Sequence, residues 1–504
     1  MLSVTDAPGS APAPASFNMA AHVLAHADRL ADKPALEIVG ATTTTFTYAD
    51  IARAVRGTAT GLLQLGLKPG DHVLLQLGNT AEFPIAYLGA ITAGIIPVPV
   101  SSQLTAPEVT AIAATIQPAL TIRAEGMATA PGRAVPASVL AGFHALPPAD
   151  FALGDPNRPA YIIYTSGTSG KPRPVVHAHR AIWARQMMWD GWYGLTEDDR
   201  LMHAGAFNWT YTLGTGLMDP WSVGATALIP ADGTTADQLP ALLARHKATI
   251  FAAAPGVFRR VLRADIPALP DLRHALSAGE KLAEDYRADW ETQTGTPIFE
   301  AFGMSECSTF ISGSPARPAP PGTSGYPQPG RRVALIGPDG PVERGTPGTI
   351  AIHRSDPGLM LGYLDAPDET AARFQGDWFL TGDIGIMDAG GAITYAGRAD
   401  DMMNAGGYRV SPVEVEDALT AHPLILEAAA CAVQIRTGTS VIAAFYVATD
   451  VIDEGELRDF MAARLAGYKL PRIYVARDAL PRGANNKLLR RVLRQDWETA
   501  HGQA

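Results

Sequence analysis

A run of hydroxyl, glycine and lysine residues is the stretch of this sequence best suited to chemistry on a phosphate group. An apolar tetrapeptide (161–164) leads into Thr165, Ser166, Gly167, Thr168, Ser169, Gly170 and Lys171. Glycines let the backbone approach phosphate oxygens closely, while hydroxyl groups add donors and the lysine adds charge. The stretch is not a Walker A loop, because its spacing differs and no Ser or Thr follows the lysine. The alternative is a solvated loop between two strands.

Five stretches, in the same order along the chain, resemble motifs of the adenylate-forming superfamily of acyl- and aryl-CoA synthetases, luciferases and adenylation domains. They are 165–171, 301–306, 381–383, 397–400 with 406–409, and 485–487. The resemblance implies that the chain activates a carboxylate with ATP to form an acyl-adenylate. An anionic carboxylate must then attack a phosphorus surrounded by negative oxygens, so cations and hydrogen-bond donors have to stabilise the developing charge.

The resemblance assigns the catalytic charges to two residues. Glu306, in the motif Phe-Gly-Met-Ser-Glu, matches the Mg²⁺ ligand, and a carboxylate is a suitable hard ligand for that ion. Lys487 matches the lysine that reaches the substrate carboxylate and the α-phosphate during adenylation. Ser305 stands where the superfamily more often has Thr, and its hydroxyl preserves the expected phosphate contact. Thr165 joins this catalytic set, and a surface Glu or a surface Lys is the alternative at each charged position.

The nucleotide is expected to contact a second group of residues. Asp383 matches the carboxylate that accepts hydrogen bonds from the ribose hydroxyls, and Arg398 matches an arginine that contacts ribose and phosphate. Gly279 and Glu280 match the segment that packs against adenine. The motif residues Ala301 and Phe302 complete this nucleotide-binding set. An Asp in a turn after a strand is the alternative for Asp383.

A hinge and a CoA-facing loop are predicted further along the chain. Asp400 matches the position about which the small domain rotates, and a hinge residue need not touch a ligand. Gly406 and Gly407 match the segment that lines the pantetheine tunnel, where side chains would block the thiol. Arg409 matches an arginine directed at nucleotide phosphate in some members. Asn486 stands where the superfamily usually has Gly, and Asn tolerates the positive φ that a tight turn needs.

The acyl pocket is expected to be lined by Phe207, Trp209, Tyr211 and Gly303. Gly303 occupies the place where acetate-specific relatives carry a capping tryptophan, so the pocket should be deeper than acetate requires. Aromatic lining suits a small aryl or a medium-length alkyl carboxylate, and the alternative is that these rings are only core. Residues 207–208 supply no Asp for an ammonium group, which disfavours an amino-acid substrate.

The resulting hypothesis is an ATP-dependent acid–CoA ligase with ATP, Mg²⁺ and CoA as its cofactor and co-substrates. It would release pyrophosphate and AMP. Two rivals stay open at this point. One is an acyl-AMP ligase that loads a carrier protein, and the other is a catalytically silent nucleotide-binding scaffold, which would not need Lys487 or Glu306.

Composition limits the partners and the compartment. The 504 residues are 47% hydrophobic and 18% charged, with a net charge of −10 and no basic block, so nucleic acid is not an expected partner. Two cysteines, Cys307 and Cys431, argue against a disulfide scaffold and favour a reducing cytoplasm. The most apolar run, 86–100, contains prolines and is too short for a membrane span. A homodimer is a further open prediction.

The elements that must position these residues alternate between strand and helix. Apolar strand patterns at 72–77, 95–100, 225–229 and 249–252 are separated by helical patterns, which predicts parallel sheets built from βαβ units. The predicted fold class is α/β, with two α/β lobes and a small β subdomain, followed by a small mobile α+β C-terminal domain. The predicted bounds are a flexible tail over 1–15, an adenylation domain over 16–398 and a lid domain over 399–504.

Two further groups of residues have competing interpretations. His177 and His179 share one face of a predicted strand, which allows a metal site, but no carboxylate or cysteine cluster accompanies them. We therefore expect both histidines to pack in the interior or in the wall of the site. Cys307 directly follows Glu306, and nothing in the sequence indicates an activated thiolate, so a passive small residue is expected.

Overall fold

A computed structural model describes residues 1–5, 11–165, 173–399, 401–405, 408–436, 439–483 and 488–501 of the chain. The chain forms two compact units. The larger unit contains Thr5–Arg332 and Ile352–Phe379, and the smaller unit contains Met1–Val4, Val333–Ala351 and Leu380–Ala504.

The described strands follow one another along the whole chain. In chain order they are β1 (Pro34–Val39), β2 (Thr43–Thr47), β3 (His72–Gln76), β4 (Ile96–Pro99), β5 (Leu120–Arg123), β6 (Ala134–Pro136), β7 (Pro159–Thr165), β8 (Arg173–Ala178), β9 (Arg200–Ala204), β10 (Thr226–Pro230), β11 (Ile250–Ala253), β12 (His274–Ala278), β13 (Ile298–Met304), β14 (Ser308–Ser312), β15 (Tyr326–Pro327), β16 (Val333–Gly337), β17 (Gly340–Pro341), β18 (Gly348–His353), β19 (Gly362–Tyr363), β20 (Phe374–Gln375), β21 (Trp378–Met387), β22 (Ile393–Arg398), β23 (Met403–Ala405), β24 (Tyr408–Val410), β25 (Ile425–Arg436), β26 (Thr439–Ala448) and β27 (Ile473–Ala476).

Helices alternate with these strands. The described α-helices are α1 (Met19–Val23), α2 (Tyr48–Gln64), α3 (Glu82–Thr92), α4 (Ala106–Ile116), α5 (Val139–Phe143), α6 (Arg180–Ala184), α7 (Gln186–Met188), α8 (Thr210–Leu213), α9 (Asp219–Val223), α10 (Leu239–Arg245), α11 (Pro255–Val261), α12 (Glu284–Thr294), α13 (Pro367–Ala371), α14 (Pro412–Thr420), α15 (Glu454–Ala462) and α16 (Arg490–His501). Short π-helical turns lie at Trp189–Tyr193 and Gly214–Met218, and 3₁₀ turns at Ala236–Gln238 and Gly467–Lys469.

A nine-stranded sheet dominates the larger unit. Its strand order is β15-β14-β13-β12-β11-β9-β10-β1-β2. The central strands β1, β10, β9, β11, β12 and β13 pair in parallel, while β2, β14 and β15 add antiparallel edges. Strands β10, β11 and β12 are buried at every position, as expected for parallel strands covered on both faces. On one side, Phe251, Phe258 and Trp290 pack ring against ring with centroids 5.2–5.8 Å apart.

A second, four-stranded parallel sheet lies in the same unit. Its order is β4-β3-β5-β6, so two separate α/β stacks are present, as the sequence predicted. Helix α2 begins at a capping box in which Thr47 and Asp50 exchange hydrogen bonds, and the predicted helix from about 48 to 65 agrees with its bounds. A three-stranded antiparallel sheet, β19-β8-β7, completes the unit.

One predicted helix is much shorter than its periodicity indicates. The pattern predicts a helix over 19–31, with Asn18 as its N-cap. Asn18 does cap the helix by accepting from the backbone N–H groups of residues 20 and 21, but α1 ends at Val23 and turns follow. In those turns His26 bonds to the Ser222 carbonyl (3.1 Å) and Arg29 pairs with Glu197. The tertiary contacts therefore override the helical pattern beyond residue 23.

The smaller unit is built from helices and sheets in which β21–β22 and β25–β26 pair antiparallel, whereas β26–β27 pair in parallel. Strands β17-β16-β18-β21 are consecutive neighbours in one sheet and β22 also pairs with β21, while β25-β26-β27 form another. Helix α14 starts with Pro412 at its first turn and with the side chain of Ser411 accepting from the Glu414 N–H, in agreement with the predicted start. Within the predicted tail over 1–15, Leu2 and Val4 bridge to Glu343 and Ala334.

The mixed α/β class predicted from the sequence is confirmed by these sheets. The predicted boundary between residues 398 and 399 stays a prediction. Across the described part of the chain, no helix combines the length and apolarity needed to cross a membrane.

Candidate active site

Three of the predicted site segments meet at one edge of the nine-stranded sheet. Strands β9, β12 and β13 are parallel, and segments 207–211, 279–281 and 301–306 lie at or just beyond their carboxyl ends. This is the edge at which open parallel sheets bind their ligands, because each strand there leads into a loop whose residues converge.

Glu306 is held in place by a tyrosine that sequence reasoning missed. The Tyr363 hydroxyl donates to Glu306 Oε1 at 2.8 Å, and the Glu306 carbonyl accepts from the Met360 N–H at 2.8 Å. Burial and the Glu306 charge raise the pKa of Tyr363, so its hydroxyl remains a donor. The residues are 57 positions apart in sequence, and no motif signal in the chain points to the tyrosine.

The Glu306 carboxylate suits a Mg²⁺ ion that is shared with a phosphate. A carboxylate has about four lone-pair sites, so the Tyr363 hydrogen bond leaves oxygen capacity for a cation. Mg²⁺ is usually held by one or two carboxylates together with substrate phosphates. In the described part of the chain no three His, Cys, Asp or Glu residues cluster as a metal site, and this mode of binding does not require one.

A buried ion pair holds the hairpin of β13 and β14, whose turn contains Glu306. Arg331 Nη1 and Asp356 Oδ1 are 2.5 Å apart, with side chains 0% and 1% exposed. Arg331 also donates to the Thr309 carbonyl at 3.2 Å, and Asp356 accepts from the Gly358 N–H at 2.8 Å. Cys307 is buried beside this pair, and burial raises the pKa of its thiol. The thiol is therefore protonated, which agrees with the expected passive role.

The hairpin of β13 and β14 requires a glycine at position 303. A Cβ atom there would clash with the Ser308 carbonyl and with the Thr309 backbone, where β13 and β14 shift register. Ser308 has a φ of 64°, in the left-handed region. The close approach of the neighbouring backbone therefore explains why residue 303 is a glycine. The predicted role of Gly303 in setting the depth of the acyl pocket stays a prediction.

Trp209, Tyr211 and Gly279 lie together. Gly279 has a φ of 101°, and a Cβ atom there would come 2.8 Å from the Trp209 ring. The rings of Trp209 and Tyr211 meet edge to face at 5.2 Å, and the Tyr211 hydroxyl donates to the Leu276 carbonyl at 3.1 Å. The structure thus brings the predicted adenine segment and part of the predicted acyl pocket into contact.

Phe207 lies apart from the other predicted pocket aromatics. It belongs to a different hydrophobic cluster, packs against Phe83 with ring centroids 5.5 Å apart and donates its backbone N–H to Asn79 Oδ1 at 2.9 Å. Ala301 is buried and pairs with Ser312, and the Phe302 ring meets Phe310 edge to face at 5.5 Å. Glu280 is half-buried just after β12.

A small cavity lies beside Ser305. Among the residues that line it are Tyr87, Tyr161, His177, Thr210 and Ser305. The His177 ring stacks on Tyr161 at 4.8 Å, and its Nε2 bonds to the Ser305 carbonyl at 2.7 Å. Burial lowers the pKa of His177 to about 4, so the ring is neutral and Nε2 carries the hydrogen.

His179 is also a packing residue. Its Nδ1 accepts from the Met19 N–H at 3.0 Å, and burial lowers the pKa of His179 to about 3. The two histidines therefore have structural contacts of the kind the sequence favoured over a metal site.

In the smaller unit, the predicted ribose residues are neighbours. Asp383 and Arg398 are paired across β21 and β22, and Arg398 Nη1 lies 3.3 Å from Asp383 Oδ2. The Tyr395 hydroxyl, a contact that sequence reasoning missed, lies 3.4 Å from Asp383 Oδ1. Thr381 supports this arrangement, because its hydroxyl donates to the Ile350 carbonyl and accepts from the Asp383 N–H.

Several predicted residues lie outside the described residues. They are Ser166, Gly167, Thr168, Ser169, Gly170, Lys171, Asp400, Gly406, Gly407 and Lys487. The side chains of Thr165 and Arg409 are likewise not described, although their backbones lie in β7 and β24. The β7–β8 pairing, which ends at the pair Thr165 and Arg173, flanks the predicted phosphate loop on both sides.

These features describe an α/β protein with the half-buried Glu306 carboxylate beside a small cavity, and comparison with known proteins gives its class. The family model "AMP-binding enzyme" matches residues 23–364, and the model "AMP-binding enzyme C-terminal domain" matches residues 414–487. The chain therefore belongs to the AMP-binding, adenylate-forming enzyme family.

Two similar relatives in this family are CoA ligases. The benzoate–CoA ligase of Thauera aromatica is 33% identical over 89% of this chain and 90% of its own length. The 4-hydroxybenzoate–CoA/benzoate–CoA ligase of Rhodopseudomonas palustris is 31% identical over 89% of this chain and 88% of its own. A crystal structure of an anthranilate CoA ligase in complex with anthranoyl-AMP superposes with a TM-score of 0.88 at 26% identity, covering 97% and 99% of the two chains. The predicted superfamily and the predicted ligase class are confirmed.

Proposed function

We propose that this chain joins an aryl carboxylic acid to CoA at the expense of ATP, through an aryl-adenylate. The observation that carries the proposal is the carboxyl edge of the nine-stranded sheet, where Glu306 stands next to a cavity walled by aromatic rings. The length and identity of the match to benzoate–CoA ligases favour an aryl acid over an alkyl one.

In the first half-reaction, a carboxylate oxygen of the acid attacks the α-phosphorus of ATP. The new bond joins that oxygen to phosphorus, and the bond to pyrophosphate breaks. Mg²⁺ held at Glu306 would neutralise phosphate charge when bound. Lys487 would hold the attacking carboxylate beside the α-phosphate, and the loop 165–171 would supply backbone and hydroxyl donors.

In the second half-reaction, the CoA sulfur attacks the acyl carbon. The carbon–oxygen bond to AMP breaks, and the thiol proton is lost to solvent or base. Rotation at Asp400 would withdraw Lys487 and bring Gly406 and Gly407 to the reacting acyl group. Arg409 would meet a nucleotide phosphate.

The remaining assignments concern the nucleotide and the state of the protein. Asp383 would accept hydrogen bonds from the ribose hydroxyls, with Arg398 beside it, and Gly279 and Glu280 would face adenine. A cytoplasmic location and a homodimer are predictions as well. Loading of a carrier protein is not favoured, because this chain matches CoA ligases along most of their length.

Pyrophosphate release tests the proposal directly. The protein would be supplied with Mg²⁺-ATP and with acetate, octanoate, benzoate or a hydroxybenzoate, each with and without CoA, and the thioester would be identified by mass. We expect turnover that requires CoA and is highest with an aryl acid. Adenylate that forms but never passes to CoA would instead favour the carrier-loading reaction.

A lysine variant tests the catalytic assignment. Lys487→Ala should abolish adenylation while it retains thioester formation from supplied benzoyl-AMP. Lys68→Ala, which removes an exposed lysine of the larger unit, is the matched control. Normal adenylation by Lys487→Ala would disprove the role given to Lys487.

A further inference from the structure

Arg490 lies at the centre of an ion-pair network in the smaller unit. It is the first residue of α16, and its side chain is 16% exposed. Its guanidinium donates to both carboxylate oxygens of Glu416 on α14, through Nε at 2.7 Å and Nη2 at 2.6 Å. The third nitrogen, Nη1, donates to Asp401 Oδ2 at 3.2 Å. One guanidinium therefore joins α16 to α14 and to the turn that precedes β23.

Both carboxylates of this network are tied to the backbone around them. Glu416 Oε1 also accepts from the Ala430 N–H at 2.8 Å, which connects it to β25. The N–H group of Asp401 donates to the Arg398 carbonyl at 3.2 Å. A guanidinium is a planar fork of donors, so it loses little freedom when it binds two carboxylates at set angles. The network therefore fixes the start of α16 relative to Asp401.

The place of this network in the sequence connects it to the predicted chemistry. Lys487 precedes Arg490 by three residues, and Asp401 directly follows the predicted hinge residue Asp400. Because Glu416 alone balances the charge of Arg490, the contact with Asp401 adds a geometric restraint and not a needed counter-charge. That restraint joins the residues next to the hinge to the helix that follows the lysine.

The segment 483–487, which contains Lys487, has an anchor on its other side as well. Arg482 and Leu488 form an isolated antiparallel bridge across this segment. Arg482 also pairs with Glu427 at 2.8 Å. The residues before and after the segment are therefore both held by contacts within the smaller unit.

Resting on the proposed function, we propose that Arg490 is a positioning residue for adenylation, which sets the reach of Lys487 from the hinge through its contact with Asp401. Lys487 would touch the carboxylate and the α-phosphate, and Arg490 acts only through it. Misplacement of a catalytic group by about 1 Å can lower a rate by about 100-fold. Because the second half-reaction does not use Lys487, the loss of this anchor should slow the first half-reaction alone.

Asp401→Asn tests the contact next to the hinge with the least risk to the fold. The amide removes the charge that faces Nη1 and leaves Arg490 paired with Glu416, so no buried charge loses its only partner. With the aryl acid of highest turnover, we expect the single-turnover rate of adenylate formation to fall about tenfold. Thioester formation from the supplied adenylate of that acid should stay within about twofold of the wild-type rate.

Two further variants complete the set. Arg490→Lys keeps the positive charge but loses the planar fork, and it should lower adenylate formation by about 10- to 100-fold while thioester formation is retained. Glu454→Gln is the matched carboxylate-to-amide control, because it removes an exposed ion pair with Arg458 in the same unit. It should leave both half-reactions unchanged. Urea unfolding of each variant measures whether the fold is retained.

Each outcome decides the proposal. A loss confined to adenylate formation, with the urea midpoint of the wild type, supports it. Unchanged adenylate formation in Asp401→Asn would overturn it, and so would an equal loss in both half-reactions, because a purely structural network gives that result. Either result would leave the proposed ligase function intact. If the wild-type chain forms no aryl-adenylate, the proposed function itself fails.

Discussion

Tyr363→Phe tests whether the Tyr363 hydroxyl, which donates to the Glu306 carboxylate, contributes to Mg²⁺ binding. The substitution removes one hydrogen bond of 2.8 Å to a carboxylate and leaves the ring, over which Arg173 lies at 5.3 Å. Residues that orient a metal ligand typically change metal affinity by about 10- to 100-fold when they are removed. Because Glu306 is only half-buried and also anchored through its carbonyl, we expect the lower end, about a tenfold rise in the half-saturating Mg²⁺ concentration.

The assay is pyrophosphate release at saturating ATP and acid, with free Mg²⁺ varied. If positioning is the role of Tyr363, high Mg²⁺ should restore most of the turnover. Tyr474→Phe controls for the loss of a buried tyrosine hydroxyl, here one in the smaller unit. An unchanged Mg²⁺ dependence, or a loss of turnover that Mg²⁺ does not restore, would refute the reasoning.

Three further predictions follow from contacts in the two units. Burial raises the pKa of Glu300 to about 7 against an ordinary 4.5. The folded state therefore binds the proton more tightly than the unfolded state, and the stability of the protein falls as pH rises from about 4.5 to 7. In Glu300→Gln the unfolding free energy measured in urea should lose this pH dependence, which is at most about 1.4 kcal/mol per pH unit. Asp383→Asn should raise the KM for ATP about tenfold through loss of a charged hydrogen bond to ribose, and an unchanged KM would exclude that contact. Gly303→Ala should destabilise the protein by about 1–3 kcal/mol in urea unfolding, whereas Gly142→Ala, with nothing within 4 Å of its added Cβ, should have little effect.

Hydrophobic patterning was sufficient to predict several buried strands and the long helix α2 of this chain. The strands predicted at 225–229 and 249–252 are each one residue off the bounds of β10 and β11, and the helix predicted from about 48 to 65 differs only at its last residue. Such elements bury regular apolar patterns, which the sequence displays directly. The predicted helix over 19–31 failed beyond Val23 because contacts of His26 and Arg29 with distant residues favour turns.

The contacts of the site were predictable only where the contacting residues lie close together in the sequence. Asp383 and Arg398 are adjacent because β21 and β22 form a local hairpin. Tyr363 and Tyr87 escaped prediction because each reaches the site from a distant part of the chain. Their types and spacing carry no signal, since a lone tyrosine on a strand or helix is ordinarily core.

Strand β8 explains how these distant contributions are coordinated. Its first residue, Arg173, lies two residues after the predicted phosphate loop 165–171 and covers the Tyr363 ring. Two residues further along, Val175 pairs with Tyr363 itself, and His177 then holds the Ser305 carbonyl. One strand therefore supports the end of the loop, the tyrosine on Glu306 and the backbone next to Glu306. Because one strand fixes all three, a substitution in β8 that disturbs its pairing should raise both the KM for ATP and the half-saturating Mg²⁺ concentration. Tyr363→Phe should instead raise only the half-saturating Mg²⁺ concentration.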